Sequence, residues 1–466
     1  AKIGGQVNVI VYTGGCSRWQ NPSVSNRVNQ IYQVKDGGLV CLKEDAGDKS
    51  MTDPGTLTEF IRWCGENYPA NRNELIFWDH GGGSVSGYGY DEKYPKSGSM
   101  TLAGIKQALS ESGMTFDFIG FDACLMATLE NALMLSDYAD YMIASEETEP
   151  GLGWYYTDWL TALSENPSMP TVEIGKQIAD DFVNTCIKAG QGQKTTLSVV
   201  DLSELEQTVP EPLAAFSRST GELIRGGQYK TVSNARNNTR EFARSSQIDQ
   251  VDLIHLAENM GTEEGEKLAE ALRGAVKYNL TSASMTNSYG ISIYFPYKKV
   301  SSVDSMVRTY EKIGMYAEYT RCIREFASVE VGGQAAAGGS GSPLPALLGE
   351  LTGGQSDGEA LGQLFGSLMS GEFDFSGIAG LTGSNTGFLD NKALEGAADY
   401  LEANRLNAGL LVWTKGDDGR NRLTLPDDQW ELVQQLELNF FYDDGEGYID
   451  LGLDNVYEFD DGTEGG

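Results

Sequence analysis

Two apolar runs that each stop abruptly at a reactive side chain constrain this 466-residue chain more than any other feature of it. Leu75-Ile-Phe-Trp-Asp-His80 leads into three glycines, and Phe118-Ile-Gly-Phe-Asp-Ala leads into Cys124. Each run is short, continuous and rich in residues that fill a sheet covered on both faces, so each reads as a buried parallel strand. In open α/β sheets ligands bind beyond the carboxyl ends of the strands. The two runs therefore set an imidazole and a thiol at neighbouring strand ends, a pairing suited to nucleophilic catalysis.

The chain has only two histidines, which narrows the choice of partner for the thiol. His255 lies in Val251-Asp-Leu-Ile-His-Leu-Ala, an amphipathic helical stretch, and reads as a structural helix residue. His80 precedes glycines whose bare backbone lets N–H groups approach a ligand closely. Its plain alternative, a turn residue that merely ends a strand, loses ground once a second strand ends in Asp122-Ala-Cys124.

A chain of this length is expected to hold two or three domains, and a 40% hydrophobic content is enough to build a core. The net charge of −33 argues against nucleic acid or an anionic membrane surface as partners, since both would repel it. Cationic substrates remain open, as does the simpler reading of an acidic surface that keeps a protein in solution. From Gly341 onward there are 24 acids against 5 bases, so net −19 sits in the last part. The six cysteines, at 16, 41, 64, 124, 186 and 322, show no metal spacing and are too scattered for a disulfide framework. Cys41, Cys64 and Cys186 are expected to be buried and inert. No run is long and apolar enough to span a membrane, and no signal peptide is visible.

Strand candidates at Val7–Tyr12, Leu75–Trp78, Phe116–Phe121, Tyr141–Ala144, Leu197–Val200 and Ile291–Phe295 alternate with helix candidates. Among these helices are Thr56–Asn67, opened by Asp53-Pro54, and Leu102–Ser110, Leu125–Leu135 and Val172–Lys188. Such alternation predicts an α/β fold with a mainly parallel sheet covered on both faces. The domain boundaries follow as 1–330 for this unit, 331–385 for a Gly/Ser-rich flexible insert or linker, and 386–466 for an acidic β-rich accessory domain. Strand-like pieces at Leu410–Thr414, Glu437–Tyr442 and Tyr448–Leu451 support the last of these.

Peptide hydrolysis needs a thiolate, a proton for the leaving amine and donors for an oxyanion. Cys124 can attack, and a helix starting at this residue would favour its anion. His80 can shuttle the proton. The N–H of Gly81 or Gly82 and that of Cys124 can hold the oxyanion. Asp79 should point to the other side of its strand and is assigned no proton-transfer role. A rival reading, a phosphate cradle over Gly82–Gly87, fails on Tyr88, where a Lys and then Ser or Thr are needed.

The pair Trp78-Asp-His-Gly-Gly-Gly and Gly120-Phe-Asp-Ala-Cys-Leu-Met resembles the clostripain family of cysteine peptidases, in one fold group with caspases, legumains and gingipains. The resemblance extends through Tyr88-Gly-Tyr-Asp-Glu92, Ser145–Trp154 and Gly290–Pro296 and covers roughly residues 6 to 330. It implies a caspase-like α/β/α sandwich, a His80/Cys124 dyad and cleavage after Arg or Lys in protein or peptide substrates. A basic side chain in a confined pocket requires a carboxylate within ion-pair range. Asp122, two residues before the thiol, takes that role by the resemblance, and Glu147 and Glu149 are candidates for another wall, with a solvated loop as the alternative. Some relatives cut themselves between the His and Cys strands; Lys96, in Lys93-Tyr-Pro-Lys-Ser-Gly, is the expected processing site, against the alternative of an ordinary exposed turn.

Several members of the family need calcium. Asp443-Asp-Gly-Glu-Gly-Tyr-Ile-Asp450 fails the EF-hand pattern, because the loop glycine would place Tyr442 and Leu453 at ligand positions. No cofactor is therefore required by the sequence, and an irregular calcium site stays open. Family members usually begin with a further strand and helix, so the chain is expected to be a fragment or processed form of a secreted or cell-surface protein. The competing function is a catalytically silent binding module that kept the fold.

Overall fold

The computed structural model describes residues 3–337 except Gly4, Asp36, Gln193, Gln247 and Lys298, together with short stretches between 406 and 454. The chain divides into two compact units at Val331/Gly332. The first opens with an antiparallel sheet of β1 (Val9–Thr13), β2 (Gln30–Lys35) and β3 (Gly38–Lys43). Helix α1 (Pro54–Asn67) follows, begun as expected by Asp53, whose side chain accepts from the N–H groups of Gly55 and Thr56. Then come β4 (Glu74–Trp78), the single turn α2 (Gly83–Ser86), α3 (Leu102–Ser112), β5 (Phe116–Asp122), α4 (Leu129–Leu135), β6 (Ala139–Ala144), α5 (Tyr156–Glu165), α6 (Thr171–Lys188) and β7 (Thr196–Asp201).

A mostly helical stretch follows, with α7 (Leu202–Thr208), α8 (Pro210–Arg225) and α9 (Tyr229–Asn237) ahead of the short strands β8 (Glu241–Phe242) and β9 (Gln250–Asp252). After α10 (Leu253–Asn259) and α11 (Glu263–Ala275) come β10 (Val276–Thr281) and β11 (Ser292–Tyr294), then α12 (Val303–Ile313) and α13 (Ala317–Ala337).

The central sheet has the order β10-β7-β6-β5-β4. Its β4–β5 and β5–β6 pairs are parallel, while β6–β7 and β7–β10 are antiparallel. The sheet is thus mixed, which corrects the expectation of a mainly parallel one. The connection from β6 to β7 holds two helices, α5 and α6, in place of one. A single crossover helix returns the chain to the starting edge; a second carries it back across, so β7 enters reversed. The strands at the positions expected for Val7–Tyr12 and Ile291–Phe295 also lie elsewhere, the first in the β1-β2-β3 sheet and the second in a small antiparallel sheet of order β11-β9-β8.

β5 is buried along both faces, as a central strand must be. One face carries Phe118, which joins Ile143, Leu197 and Val199 in a core closed by Trp154, Trp159 of α5, and Ile178 and Phe182 of α6. Ile119 and Phe121 alternate onto the other face and are fully buried there. Cys186 belongs to the first core, and burial pushes its thiol up to about 11. Cys64 is pushed up to about 12 for the same reason. Cys41 differs from expectation: it is exposed, because β3 is the outer strand of its sheet.

In the second unit, β12 (Trp413–Lys415) pairs with β13 (Asn421–Leu423), and β14 (Leu438–Asp443) with β15 (Tyr448–Asp454), both antiparallel. Helix α13 runs past Gly332-Gly333 to Ala337. The remainder of the Gly/Ser-rich segment to 385 lies outside the described residues.

Candidate active site

The register of β4 on β5 sets the geometry. Trp78 pairs with Asp122, the last matched position of the two parallel strands. His80 and Cys124 each stand two residues farther on, just past the ends of strands about 4.8 Å apart. The chains then close on each other at Gly81. A Cβ added there would lie 2.0 Å from the carbonyl oxygen of Cys124 and 3.0 Å from its amide nitrogen. Only glycine permits this approach, so the loop carrying His80 rests directly on the backbone of the nucleophile.

Within that loop His80 is exposed and Cys124 partly so. The Asp79 carboxylate accepts from the N–H groups of His80 (2.6 Å) and Tyr90 (2.9 Å), so it braces the loop through backbone. Gly82 N–H donates to Gly87 O at 2.9 Å, which removes Gly82 as an oxyanion donor. Gly81 N–H has no acceptor among the described residues and stays available.

The segment after Cys124 overturns one expectation. Helix α4 begins at Leu129, capped by the Thr128 hydroxyl accepting from Asn131 N–H, so Cys124 is not at a helix N-terminus. The intervening backbone has better partners: Leu125 N–H donates to Glu147 O (3.1 Å) and Ala127 N–H to Ser145 O (2.9 Å). Leu125 itself takes a left-handed conformation, φ 68°. In place of a helix dipole, one backbone donor is aimed at the sulfur: Glu149 N–H lies 3.2 Å from Cys124 Sγ.

Asp122 is 4% exposed, and its two oxygens accept from Trp154 N–H (3.1 Å) and the Tyr156 hydroxyl (2.9 Å). Gly153, at φ +61°, makes the turn possible; a Cβ there would strike Asp122 Oδ1 at 2.9 Å. The Glu149 carboxyl lies beside Asp122. Its Oε1 accepts from Trp154 Nε1 at 3.4 Å, while Oε2 is sealed from solvent with no hydrogen-bond partner among the described residues. Burial raises the Asp122 carboxyl above its ordinary range, partly offset by the Tyr156 and Trp154 hydrogen bonds. Glu149 is raised well above its range by burial and then by the charge of Asp122. The two acids lie together in the interior, and no Lys or Arg among the described residues pairs with either.

Glu147 is not brought to these acids. It is buried, and its Oε1 accepts from Ala243 N–H (3.1 Å) and Thr148 N–H (2.9 Å). Lys96 is exposed on a single helical turn, Pro95–Ser97, whereas neighbouring Lys93 is ion-paired to Asp48 and donates to Arg27 O. His255 lies on α10, where its Nδ1 accepts from Arg240 N–H at 2.9 Å, as suits a structural residue. Sequence reading missed Tyr156, and it missed Gln250. Gln250 is fully buried, and its Nε2 donates to Leu125 O (2.9 Å) and Ser292 Oγ (2.8 Å), while Oε1 faces Gly83. Nothing local announces a residue whose partners lie 42 and 125 positions away. Among the described residues no three His, Cys, Asp or Glu side chains gather as metal ligands, and residues 444–447 of the acidic turn at 443–450 lie outside them.

The sequence model of the clostripain family matches residues 2–332. Clostripain of Hathewaya histolytica is 25% identical over 299 residues, which cover 60% of this chain and 51% of that protein. The chain thus spans about half the length of this curated relative. Among solved structures, an inactive zymogen C11 protease from Parabacteroides distasonis is 23% identical, with a TM-score of 0.49 over 67% of this chain and 87% of that one. A secreted C11 cysteine protease from Bacteroides thetaiotaomicron, solved with an irreversible peptide inhibitor, is 20% identical, with a TM-score of 0.47 over 66% and 88% of the two chains.

Proposed function

The chain belongs to the clostripain family, and from that premise we propose that it is a cysteine endopeptidase cleaving on the carboxyl side of Arg or Lys. The observation that carries this reading is the contact of Gly81 with the backbone of Cys124, which draws the His80 loop onto the nucleophile. His80 takes the thiol proton, and the sulfur, oriented by Glu149 N–H, attacks the scissile carbonyl. Charge developing on the carbonyl oxygen is met by the N–H groups of Gly81 and Cys124. The tetrahedral intermediate collapses as His80 returns the proton to the leaving amine. Water, deprotonated by the same imidazole, then hydrolyses the Cys124 thioester.

Specificity rests on Asp122 and Glu149, two adjacent buried acids that a substrate cation would neutralise. Self-processing after Lys96 is favoured by its exposure, in contrast to the tethered Lys93. Secretion fits protein or peptide substrates outside the cell, and no helix among the described residues is long and apolar enough to cross a membrane.

Hydrolysis of Arg- and Lys-terminated peptide amides by the wild type, Cys124→Ala and His80→Ala tests the proposal. Turnover confined to the wild type is expected. Equal rates in all three would remove the dyad, and binding without turnover in the wild type would favour a silent binding module.

A further inference from the structure

Trp78 is 68% exposed, the most exposed large apolar side chain among the described residues. Its place in the sheet gives that exposure meaning. Residues in register on adjacent parallel strands project from the same face, so Trp78 stands beside Asp122, one strand spacing away. Two residues down the same face, Ile76 packs against the cluster that holds Phe118 and Trp154. Trp154 in the loop and Tyr156 at the start of α5 cover Asp122 through their hydrogen bonds. The indole is the part of this face left uncovered.

We infer that Trp78 is a specificity-determining wall of the basic site, on which the guanidinium of a substrate arginine stacks beside the buried acids Asp122 and Glu149, so that Arg is preferred to Lys. The inference rests on the peptidase reading and deepens it. Tryptophan is the strongest aromatic partner for a cation, and a planar guanidinium uses a ring face better than a compact ammonium does. Cation–ring pairs elsewhere in the molecule use Tyr278, Tyr297 and Tyr289; among the described residues no cation lies over Trp78.

The test compares kcat/KM on matched Arg and Lys peptide amides for the wild type, Trp78→Leu and Trp78→Phe. Trp78→Leu is expected to lower the Arg value about fivefold or more and the Lys value less than about twofold, with Trp78→Phe between. An equal loss on both substrates, or none on either, overturns the inference while leaving the peptidase reading intact. Binding of argininamide and lysinamide to Cys124→Ala, with and without Trp78→Leu, decides the same question without turnover. There the selectivity for argininamide must fall with the leucine, and a ratio that stays unchanged overturns the assignment. Alkylation of Cys124 by iodoacetamide, which does not use the basic site, should be the same in wild type and Trp78→Leu.

Discussion

The backbone N–H of Glu149 points at the sulfur of Cys124 from 3.2 Å, and the carboxyl of the same residue lies beside Asp122. One loop residue thus touches Cys124, the proposed nucleophile, through its main chain and Asp122, the proposed recognition residue, through its side chain. Glu149→Gln separates the two roles, because it removes the charge and keeps the N–H. We expect KM for Arg and Lys amides to rise about tenfold, the scale of one charge-assisted hydrogen bond, with Cys124 alkylation by iodoacetamide unchanged. Loss of alkylation together with binding would show that the side chain also shapes the loop.

The same two acids predict a pH dependence of binding. Both are raised, chiefly by burial, so in the free enzyme they hold protons above the ordinary carboxylate range. A bound guanidinium or ammonium favours their charged forms and expels those protons. KM for an Arg substrate should therefore fall as pH rises from the ordinary carboxylate range through the raised values. A citrulline analogue, uncharged and nearly isosteric, should show no such fall in Ki. Parallel pH profiles for the two would place the acids outside the binding step.

Gly81→Ala tests the closure of the site. The new methyl group would lie 2.0 Å from Cys124 O, a backbone atom that cannot rotate away. Overpacking of this kind costs about 1–3 kcal/mol and moves the loop that bears His80. Turnover should fall about a hundredfold or more, since an ångström of misplacement at a reacting group has that effect. Urea unfolding and peptide-amide kinetics report the two parts separately; an alanine variant with full activity would mean the loops do not meet as described.

Much of this site is legible in the sequence because its parts are local. The runs to His80 and Cys124 are adjacent parallel strands legible from their hydrophobicity, and their abrupt ends mark the edge where the two reactive side chains stand. The placement of Asp122 on the same face as Cys124 follows from its two-residue offset, while its recognition role is what the family resemblance implies. What escaped depends on contacts across the chain. The reversal of β7 depends on two helices that each look ordinary alone. The start of α4 at Leu129, not beside Cys124, is decided by backbone bonds from Leu125 and Ala127 to the strand end at 145–147. One omission is local: β2 pairs back on β3, Lys35 against Gly38, and the Asp-Gly sequence between them is a turn signal that alternation of strands and helices does not weigh. Glu147 and Glu149 are indistinguishable by composition, and only the loop path sends one to Ala243 and the other to Asp122.

A buried acid pair behind the site predicts how stability responds to pH. Glu146 and Asp252 are 1% and 0% exposed. Glu146 Oε2 accepts from Gly290 N–H (2.9 Å) and Ser288 Oγ, while its Oε1 has no hydrogen-bond partner among the described residues. Asp252 caps α10, accepting from His255 N–H at 2.7 Å, and also accepts from Tyr289 N–H. Burial raises both acids, Glu146 further through the charge of Asp252, and Asp252 is pushed up to about 7. In the unfolded chain an aspartate titrates near 3.9. Between those values the folded protein holds a proton that the unfolded chain has lost, so folding is favoured at low pH and weakened as pH rises toward 7. The slope for one such group approaches about 1.4 kcal/mol per pH unit. Asp252→Asn keeps a helix cap and offers an N–H₂ donor beside Glu146, without a proton to lose. Urea unfolding from pH 5 to 8 should show wild-type stability declining with pH, and the asparagine variant declining less and overtaking it at the alkaline end. If the two curves run parallel, Asp252 is ionised in the folded protein and holds no proton there.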